Sequence, residues 1–327
     1  MSNLAGTAPE LDEALEKYRT ELTGYCYRML GSSFEAEDAV QDAFVRAWRS
    51  YDRFEGRSSL RSWLYRIATN VCLDALNAGN RRARPMDLTA PQNQATAVLN
   101  VRSEVTWLEP VPDGRVLHPV ADPAETAVAR ESVRLAFVAA LQHLPAKQRA
   151  VLILREVLAW KASEVAELLD TSVASVNSAL QRARATLAAQ EVRESDAADP
   201  MDEDQRKLLD RYVAAFEEYD ISALTALLHE DAVLSMPPFD LWLQGHEDIA
   251  AWHLNQGIGC KGSRLVPTVA NGQPAFGQYR PAEDGVGHEP WALQVLEIRE
   301  GRIVGLNAFL DTSRWFPLFD LPARLDD

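Results

Sequence analysis

The chain has 327 residues, an apolar fraction of 47% and a formal net charge of −15. This length predicts two or three domains with hydrophobic cores. No apolar run reaches the roughly 18 residues that cross a bilayer, and the N-terminus has no signal-like stretch, so we expect a cytoplasmic protein with no membrane association. Cys26, Cys72 and Cys260 are far apart and share no ligand spacing with the histidines, which predicts neither a disulfide framework nor a metal site.

The negative charge is concentrated at the C-terminal end of the chain. Residues 199–327 carry 10 basic and 22 acidic side chains, whereas residues 44–84 carry nine arginines against three carboxylates. A local basic face matters more for phosphate binding than the isoelectric point of the whole chain. Residues 44–84 are therefore a candidate nucleic-acid surface despite the overall charge.

The N-terminal third predicts three helices. Residues 11–30 form an amphipathic pattern that ends at Gly31. Residues 33–51 carry carboxylates in the first turn, where the helix dipole favours them, and an apolar face that we expect to include Trp48. Residues 60–78 form the third helix. A polar loop lies between the second and third helices.

Residues 83–123 are expected to be an interdomain linker, because this stretch is rich in proline and shows no sustained periodicity. One segment inside it is apolar, VTWLEPVPD at residues 105–113. We expect this segment, with Trp107, to dock on the chain's own domains.

Residues 141–190 predict a helix-turn-helix. A short helix over 162–169 is followed by a polar turn and a second helix over 173–189, whose inner face is Val176, Leu180, Ala183 and Leu187. The outer face presents donors, acceptors and two guanidiniums, which suit a major groove. The same pattern is also typical of an ordinary helical hairpin with a solvated face. The outer-face residues are Ser175, Asn177, Ser178, Gln181, Arg182 and Arg184.

The C-terminal segment, residues 201–327, predicts helices followed by an antiparallel meander, an α+β cone. Glu300-Gly301 reads as a tight hairpin turn. The tail RWFPLFDLPARL is too apolar for a free end, so we expect it to pack on the cone or on the helical domains.

Two blocks of the helical part resemble a known family. AEDAVQDAFVRAW followed by FEGRSSLRSWLYRIATNVCLDAL resembles region 2 of extracytoplasmic-function (ECF) sigma factors. LPAKQRAVLILREVLAW with LQRARATL resembles their region 4. The resemblance implies two all-α sigma domains, a region 2 bundle at residues 10–82 and a region 4 helix-turn-helix at 124–190.

The resemblance also implies partners and site residues. RNA polymerase core would be bound through the clamp helices of its largest subunit and its flap region, with Asp38, Gln41, Asp42 and Phe44 on the docking helix. Phe44 and Trp63 fit core positions better than exposed ones, and Asn70 and Asp74 contact either a base or neighbouring backbone. The residues implied for the −10 promoter element are Arg53, Arg57, Arg61, Trp63, Arg66, Asn70 and Asp74. The outer face of the second helix-turn-helix helix would read the −35 element. A sparse arginine run after residue 80, with Asn177 and Ala179 at positions that are often basic, implies modest intrinsic affinity for promoter DNA.

The C-terminal stretches YDISALTALLHEDAVLSMPP and WLQGHEDIAAW resemble the SnoaL-like domain. Such cones enclose a pocket, here expected to include Trp242, His246, Trp252, His253 and Trp291. No two polar groups stand at a spacing that demands chemistry, so we predict no catalytic residue, no cofactor and a regulatory role.

Two functions stay open at this point. The first is a sigma factor whose activity is modulated by its own C-terminal domain, through an intramolecular contact with the sigma domains. The second is a helix-turn-helix regulator with a ligand-sensing or enzymatic C-terminal domain of the isomerase or cyclase type. The AEDAVQDAF to LDAL block favours the first, because a repressor does not need it.

Overall fold

A computed structural model describes residues 8–54, 56, 58–79, 81–93, 97–118, 123–189 and 203–326. The chain divides into two compact units: Met1–Arg82 with Leu108–Glu194, and Ala83–Trp107 with Ser195–Asp327. The predicted linker is therefore not a free connection. Its first part, residues 83–107, belongs to the second unit, and we call it the linker loop.

The first unit begins with four helices that follow the predicted order. The predicted helix over 11–30 is interrupted at residues 17–18, where the Tyr18 amide donates to the Leu15 carbonyl in a tighter turn. Gly31 ends the second helix as expected, with a left-handed φ of 72° that a side chain would disfavour. Ser32 caps the third helix by accepting from the Glu35 amide at 3.0 Å. The four helices are α1 (Ala8–Glu16), α2 (Arg19–Leu30), α3 (Ser33–Ser50) and α4 (Leu60–Ala78).

The second part of the predicted linker packs on α2. Glu109 donates its amide to the Gly31 carbonyl at 3.0 Å, and its own carbonyl accepts from the Tyr27 hydroxyl at 2.8 Å. A short helix, α5 (Asp113–Val116), follows so closely that a Cβ on Gly24 would lie 2.5 Å from the Val116 oxygen. The expected docking of the apolar segment on the chain's own helices is thus confirmed for its part from residue 108 onward.

The second motif block folds as five helices, and the predicted helix-turn-helix is confirmed. Pro145 precedes the first turn of α8, where its missing N–H costs no hydrogen bond. Asp170 adopts a positive φ of 49° in the turn between the last two helices. The helices are α6 (Pro123–Glu131), α7 (Leu135–Gln142), α8 (Ala146–Leu152), α9 (Ala162–Leu168) and α10 (Val173–Ala189), with a π-helical turn over Ile153–Val157.

A buried arginine joins the two helical blocks into one unit. Arg149 of α8 donates to the Met29 carbonyl at the end of α2 and, at 2.7 Å, to Gln142 Oε1. Burial lowers the pKa of Arg149 to about 10, which leaves the guanidinium charged at neutral pH. Arg28 of α2 makes a similar link to Ser132, at 2.7 Å.

The second unit is a mixed sheet with helices. The predicted antiparallel meander is confirmed for the last four strands, and the first strand, which lies before the meander, pairs in parallel with the last. The intervening strands supply the long crossover that a parallel pair requires. The strands are β1 (Leu228–Ser235), β2 (Trp242–Gln244), β3 (Arg264–Ala270), β4 (Gln273–Pro281), β5 (His288–Arg299) and β6 (Arg302–Phe309), in the order β2-β1-β6-β5-β4-β3. The helices are α11 (Glu203–Glu217), α12 (Ile221–Leu227), α13 (His246–Leu254) and α14 (Thr312–Leu318).

Helices α11 to α13 form an apolar core with the sheet, in which Tyr212 and Leu296 are fully buried. The hairpin turn at Glu300-Gly301 is confirmed, with positive φ at both residues. The tail packs on the cone, as expected. Phe316 of α14 lies edge-on to Tyr279, with ring centroids 5.1 Å apart.

Among the described residues, no helix is both long and apolar enough to span a bilayer. The three cysteines are unpaired and buried. The described part of the chain holds no group of His, Cys, Asp and Glu side chains that could bind a metal ion.

Candidate DNA and polymerase interfaces

The outer face of α10 is exposed at every predicted −35 position. The inner face is buried at Val176, Leu180 and Ala183, which fixes the orientation of the helix, while Leu187 is only half-buried. Arg182 is exposed and has no ion-pair partner among the described residues. The residues exposed together on this face are Ser175, Asn177, Ser178, Gln181, Arg182 and Arg184.

Two residues of this face already have partners. Arg184 donates to Glu156 at 2.7 Å, and the Ser175 amide and hydroxyl both meet the Ser172 hydroxyl that caps the helix. Both contacts are exposed, so water and phosphate compete with them easily. The guanidinium that is ready for a base edge is that of Arg182.

The predicted −10 segment carries an aromatic cluster. The ring of Trp63 lies 4.8 Å from that of Phe54 and 6.5 Å from that of Tyr51, measured between centroids. Trp63 is half-buried, so the expectation that it is a core residue is wrong. The cluster lies at the N-terminal end of α4, beyond the apolar face that fills the core. It offers a partly exposed stacking surface of the kind that unpaired bases use.

Arg61 of α4 is engaged rather than free. Its Nε donates to Glu21 of α2 at 2.7 Å, and its guanidinium lies 5.3 Å from the ring of Trp160, which follows α8. Trp160 also packs against Tyr65, with ring centroids 5.0 Å apart. The indole of Trp160 therefore covers this part of α4.

Arg66 is held from the same direction. Its Nη2 donates to the main-chain oxygen of Glu167 in α9 at 3.0 Å and lies 3.7 Å from the Glu167 carboxylate. Trp160 and Glu167 were not predicted as partners of α4, because no local pattern connects positions so far apart in sequence. The helix-turn-helix block thus contacts two of the predicted −10 arginines.

The other −10 residues are placed less distinctively. Arg53 and Asn70 are exposed. Asp74 forms an exposed ion pair with Arg46 of α3 at 3.3 Å, so its partner here is neither a base nor backbone. Arg57 lies outside the described residues.

The predicted polymerase-docking helix, α3, exposes Asp38, Gln41 and Asp42 on one face. Phe44 is not on that face. It is only 8% exposed and lies under the Arg19 guanidinium, 4.9 Å away, so its alternative role as a core residue is the correct one.

Trp48 corrects a second expectation about α3. It was predicted to lie on the apolar inner face, yet it is 53% exposed. Residues 38, 41, 42, 45 and 48 recur at helical spacing, and Val45 is 40% exposed as well. The apolar pattern of α3 continues beyond the part of the helix that packs on its neighbours, so its last apolar side chains are exposed to solvent. The exposed face of α3 is therefore part acidic and part apolar.

The predicted pocket residues of the second unit do not form one site. Trp252, His253 and Trp291 line an inner cavity of about 50 Å³. His246 instead faces an outer groove with His229 and Arg302. Trp242 faces neither, because its indole N–H donates to the Thr89 carbonyl of the linker loop at 2.9 Å.

The linker loop is bound along the segment Pro238–Leu243 of the second unit. Gln92 pairs with Leu243 as a β-bridge, and Val101 pairs with Phe239. Arg102 donates to the buried carboxylate of Asp240 at 2.8 Å. The sequence analysis did not predict these contacts, because the residues that make them lie in an irregular stretch without a charge cluster.

The two ends of the linker loop meet. Ala83 and Trp107 form a parallel β-bridge, and the Ala83 amide donates to the Thr106 carbonyl at 2.9 Å. Between them, Ala97 inserts into the core of the second unit, and its carbonyl accepts from Gln256 at 3.1 Å. The loop is thus closed by this bridge, which we call the neck.

Comparisons with protein families match both helical blocks and the cone. The model for Sigma-70 region 2 matches residues 14–82, and the model for Sigma-70 region 4 matches residues 134–187. The SnoaL-like domain model matches residues 209–306. Together with the arginine-bearing aromatic helix and the helix-turn-helix, these matches define the class of RNA polymerase sigma factors.

The ECF RNA polymerase sigma factor SigG of Mycobacterium tuberculosis is 49% identical over 316 residues, covering 95% of this chain and 83% of that protein. SigJ of the same organism is 27% identical over 302 residues, covering 89% of this chain and 88% of SigJ. The crystal structure of SigJ shares the fold, with a TM-score of 0.59 at 22% identity over 96% of this chain and all of that one. The chain belongs to the family of ECF RNA polymerase sigma factors.

This membership confirms the sigma-factor function over that of a helix-turn-helix regulator without region 2, because region 2 has its own match. The full-length relatives are sigma factors rather than enzymes. The fold expectation, two all-α sigma domains with an α+β SnoaL-like domain, is confirmed.

Proposed function

We propose that this sigma factor docks on cytoplasmic polymerase core through α3, reads the −10 element with α4 and the −35 element with α10, and is regulated by its own C-terminal unit through the linker loop. Residues 10–82 and 124–190 act as the two promoter-reading modules, and residues 201–327 as the regulatory domain. One observation supports the regulatory part above all. The loop that joins the two modules in sequence is bound by the C-terminal unit.

The binding of the loop is specific rather than incidental. Asp240 is 3% exposed, and it accepts from Arg102 of the loop through one carboxylate oxygen. A buried carboxylate is costly without a cationic partner. The Asp240 amide also donates to the Asn100 carbonyl at 3.1 Å. The C-terminal unit therefore depends on the loop for the pairing of a buried charge.

Regulation follows from what promoter reading requires. Modules for the −10 and −35 elements have to occupy two separate stretches of DNA, whereas here Trp160 and Glu167 of one module contact Arg61 and Arg66 of the other. Separation of the modules needs chain between them. A loop retained by the C-terminal unit withholds that chain, and its release supplies it.

We also propose that the C-terminal unit has no catalytic role. Among the described residues that line its inner cavity there is no carboxylate. The amides of Gln278 and Gln294 bond to each other at 2.9 Å, and Tyr212 donates to Gln294 at 2.7 Å. Burial lowers the pKa of His253 to about 4, which makes it a weak base at neutral pH.

Run-off transcription with core polymerase tests the regulatory role. Truncation after Ala198 is expected to change initiation strongly in one direction, because the loop then has no binding partner. Truncation after Thr312, which removes α14, is expected to reproduce part of that change. Arg102→Ala should act in the same direction as full truncation.

A matched control is Arg264→Ala. Its ion pair with Glu217 at 3.1 Å lies in the same unit and does not involve the loop. A second possible route of regulation is electrostatic: the acidic residues of 199–327 could mask the basic residues of 44–84. A salt series separates this route from loop binding, since masking weakens as the Debye length falls to ~10 Å at 0.1 M. Equal transcription by the full-length protein, both truncations and Arg102→Ala at every salt concentration would exclude this regulation.

A further inference from the structure

Cys260 lines the inner cavity of the second unit. It is 9% exposed, whereas Cys26 and Cys72 of the first unit are completely buried. The cavity has a volume of about 50 Å³. Because one water needs ~10–15 Å³ of such space, the cavity admits only a molecule of a few non-hydrogen atoms. Metabolite-sized ligands, whose pockets measure ~300 Å³ or more, do not fit.

A fixed guanidinium lies beside this sulfur. Arg280 Nη2 donates to Cys260 Sγ at 3.2 Å. The same guanidinium stacks on Trp291, 3.2 Å from the ring centroid. The indole therefore fixes the position of the cation. A cation that donates to sulfur stabilises negative charge there, and the thiolate is the nucleophilic form of cysteine.

One polar atom of a residue that lines the cavity lacks a hydrogen-bond partner among the described residues. Gln278, Gln294 and Tyr212 satisfy one another, but His253 Nδ1 has no hydrogen-bond partner among the described residues. His253 is 6% exposed and uncharged at neutral pH, so it offers a neutral hydrogen-bonding nitrogen. The Cys260 thiol with Arg280 beside it, and the unpaired imidazole nitrogen of His253, together suit a small, polar molecule that reacts with thiols.

We propose that Cys260 is a site of oxidation by small hydroperoxides. The sulfur attacks one peroxide oxygen, so that an S–O bond forms and the O–O bond breaks. Sulfur loses two electrons, and the departing oxygen takes them together with the thiol proton. The products are a sulfenic acid on Cys260 and water, or an alcohol from an alkyl hydroperoxide.

Oxidation would reach the linker loop, a consequence that rests on the proposed function. Cys260 ends the short turn Gln256–Cys260, and Gln256 at its start donates to Ala97 of the loop. An oxygen on Sγ needs space in a small cavity and competes for Arg280. The turn then shifts, and its grip on Ala97 weakens.

The first test uses the full-length protein and limiting hydrogen peroxide, with dimedone to trap sulfenic acid and peptide mass spectrometry to quantify it. Cys260 is expected to react at least about tenfold faster than the other two thiols. Cys72 is a suitable internal reference, because the neighbouring Cys26 thiol and burial raise its pKa well above the usual value. A rate at Cys260 no higher than at Cys72 overturns the proposal.

Two variants test whether the Arg280 guanidinium, and not only the exposure of the thiol, sets the labelling rate of Cys260. Arg280→Met is expected to slow labelling of Cys260 about tenfold, while Arg264→Met, on the neighbouring strand, leaves it unchanged. An unchanged rate in Arg280→Met overturns the assignment of the site. The comparison of three thiols within the wild-type chain decides the matter even if Arg280→Met does not fold.

Hydrogen exchange tests the consequence for the loop. The amides of Asp240 and Arg102 are expected to exchange faster after oxidation of the wild type and to stay unchanged in Cys260→Ser. Unchanged exchange in oxidised wild type overturns the coupling. Run-off transcription by the truncated proteins then decides separately whether the loop regulates the sigma factor.

Discussion

The two proposed DNA-reading surfaces of this sigma factor differ in how far other residues cover them. The outer face of α10 is exposed, and its Arg182 has no ion-pair partner among the described residues. The face of α4 is partly covered, since Trp160 lies against Arg61 and Glu167 accepts from Arg66. The proposed −35 surface is therefore open, whereas the proposed −10 surface is partly covered.

The difference suggests a place for the proposed regulation to act, the cover of α4. On the proposed assignment, a covered −10 surface would prevent promoter opening without any change in the −35 surface. The cover comes from Trp160, just before the helix-turn-helix, and from Glu167 in its first helix, so separation of the two proposed modules would uncover α4. Polymerase core could supply that separation by binding the proposed docking face of α3, which is exposed.

The largest effect is expected from Trp160→Ala, which removes the side chain that covers α4. The difference in exposure between the α4 and α10 surfaces should then disappear. The side chain is 6% exposed, and truncation of a buried Trp typically costs ~3–5 kcal/mol. We expect a lower free energy of unfolding for the first unit, together with tighter binding of single-stranded −10 DNA by the free protein. Denaturant titration and fluorescence anisotropy measure the two quantities.

Trp48→Ala is the matched control for Trp160→Ala. Trp48 is 53% exposed on α3, and its removal should barely change the free energy of unfolding. Single-stranded DNA binding that stays the same in a folded Trp160→Ala protein would show that Trp160 does not cover the −10 surface.

Arg182→Ala sharpens the comparison at the exposed surface. A bidentate Arg–guanine contact is typically worth ~1–3 kcal/mol of discrimination, so initiation should lose its preference for the correct −35 sequence by that amount. Stability should not change, because the side chain has no partner to lose. Run-off transcription on promoters with intact and altered −35 elements measures the preference.

Arg184→Ala serves as the comparison for Arg182→Ala. Arg184 has to leave Glu156 before it can reach DNA, so a smaller loss is expected. A fall in core binding for Arg182→Ala, with promoter preference intact, would mean that α10 is not the −35 reader.

Charge reversal at Asp38 and Asp42 tests whether α3 docks on polymerase core, the step that would uncover α4. Replacing both with Lys should weaken binding to polymerase core by about tenfold, ~1.4 kcal/mol, while the isolated protein stays folded. Competition with another sigma factor for core measures the affinity. Asp12→Lys, an exposed acid on α1, should have no effect, and equal competition by both proteins would reject the α3 face.

The smallest effect is expected from Glu167→Gln. Its carboxylate lies 3.7 Å from Arg66 in an exposed pair, and such pairs contribute ~0.2–1 kcal/mol. The bond from Arg66 to the Glu167 main-chain oxygen is unaffected. We therefore expect a slight rise in single-stranded DNA binding, visible only at low salt. A change as large as that of Trp160→Ala would contradict the assignment of the indole as the main cover.

The sequence was sufficient for the parts of the fold that local pattern determines. The inner face of α10 and the end of α2 at Gly31 follow from helical spacing and backbone preference. Trp48 and Trp63 were misplaced, because spacing gives the face of a helix but not the extent of its neighbours. The position of the linker loop was beyond reach. Its contact between Thr89 and Trp242 joins residues 153 positions apart and leaves no local signal.

The neck between Ala83 and Trp107 determines how much chain is available between α4 and α6. With the neck closed, the path from α4 to α6 bypasses the 23 residues between these two positions. Extended chain spans at most ~3.3–3.6 Å per residue, so the bypassed stretch stores on the order of 80 Å. On the proposed assignment of the two modules, opening of this one β-bridge would lengthen the chain available between them. The spacing of −10 and −35 elements that the protein can use would then report whether the bridge is closed.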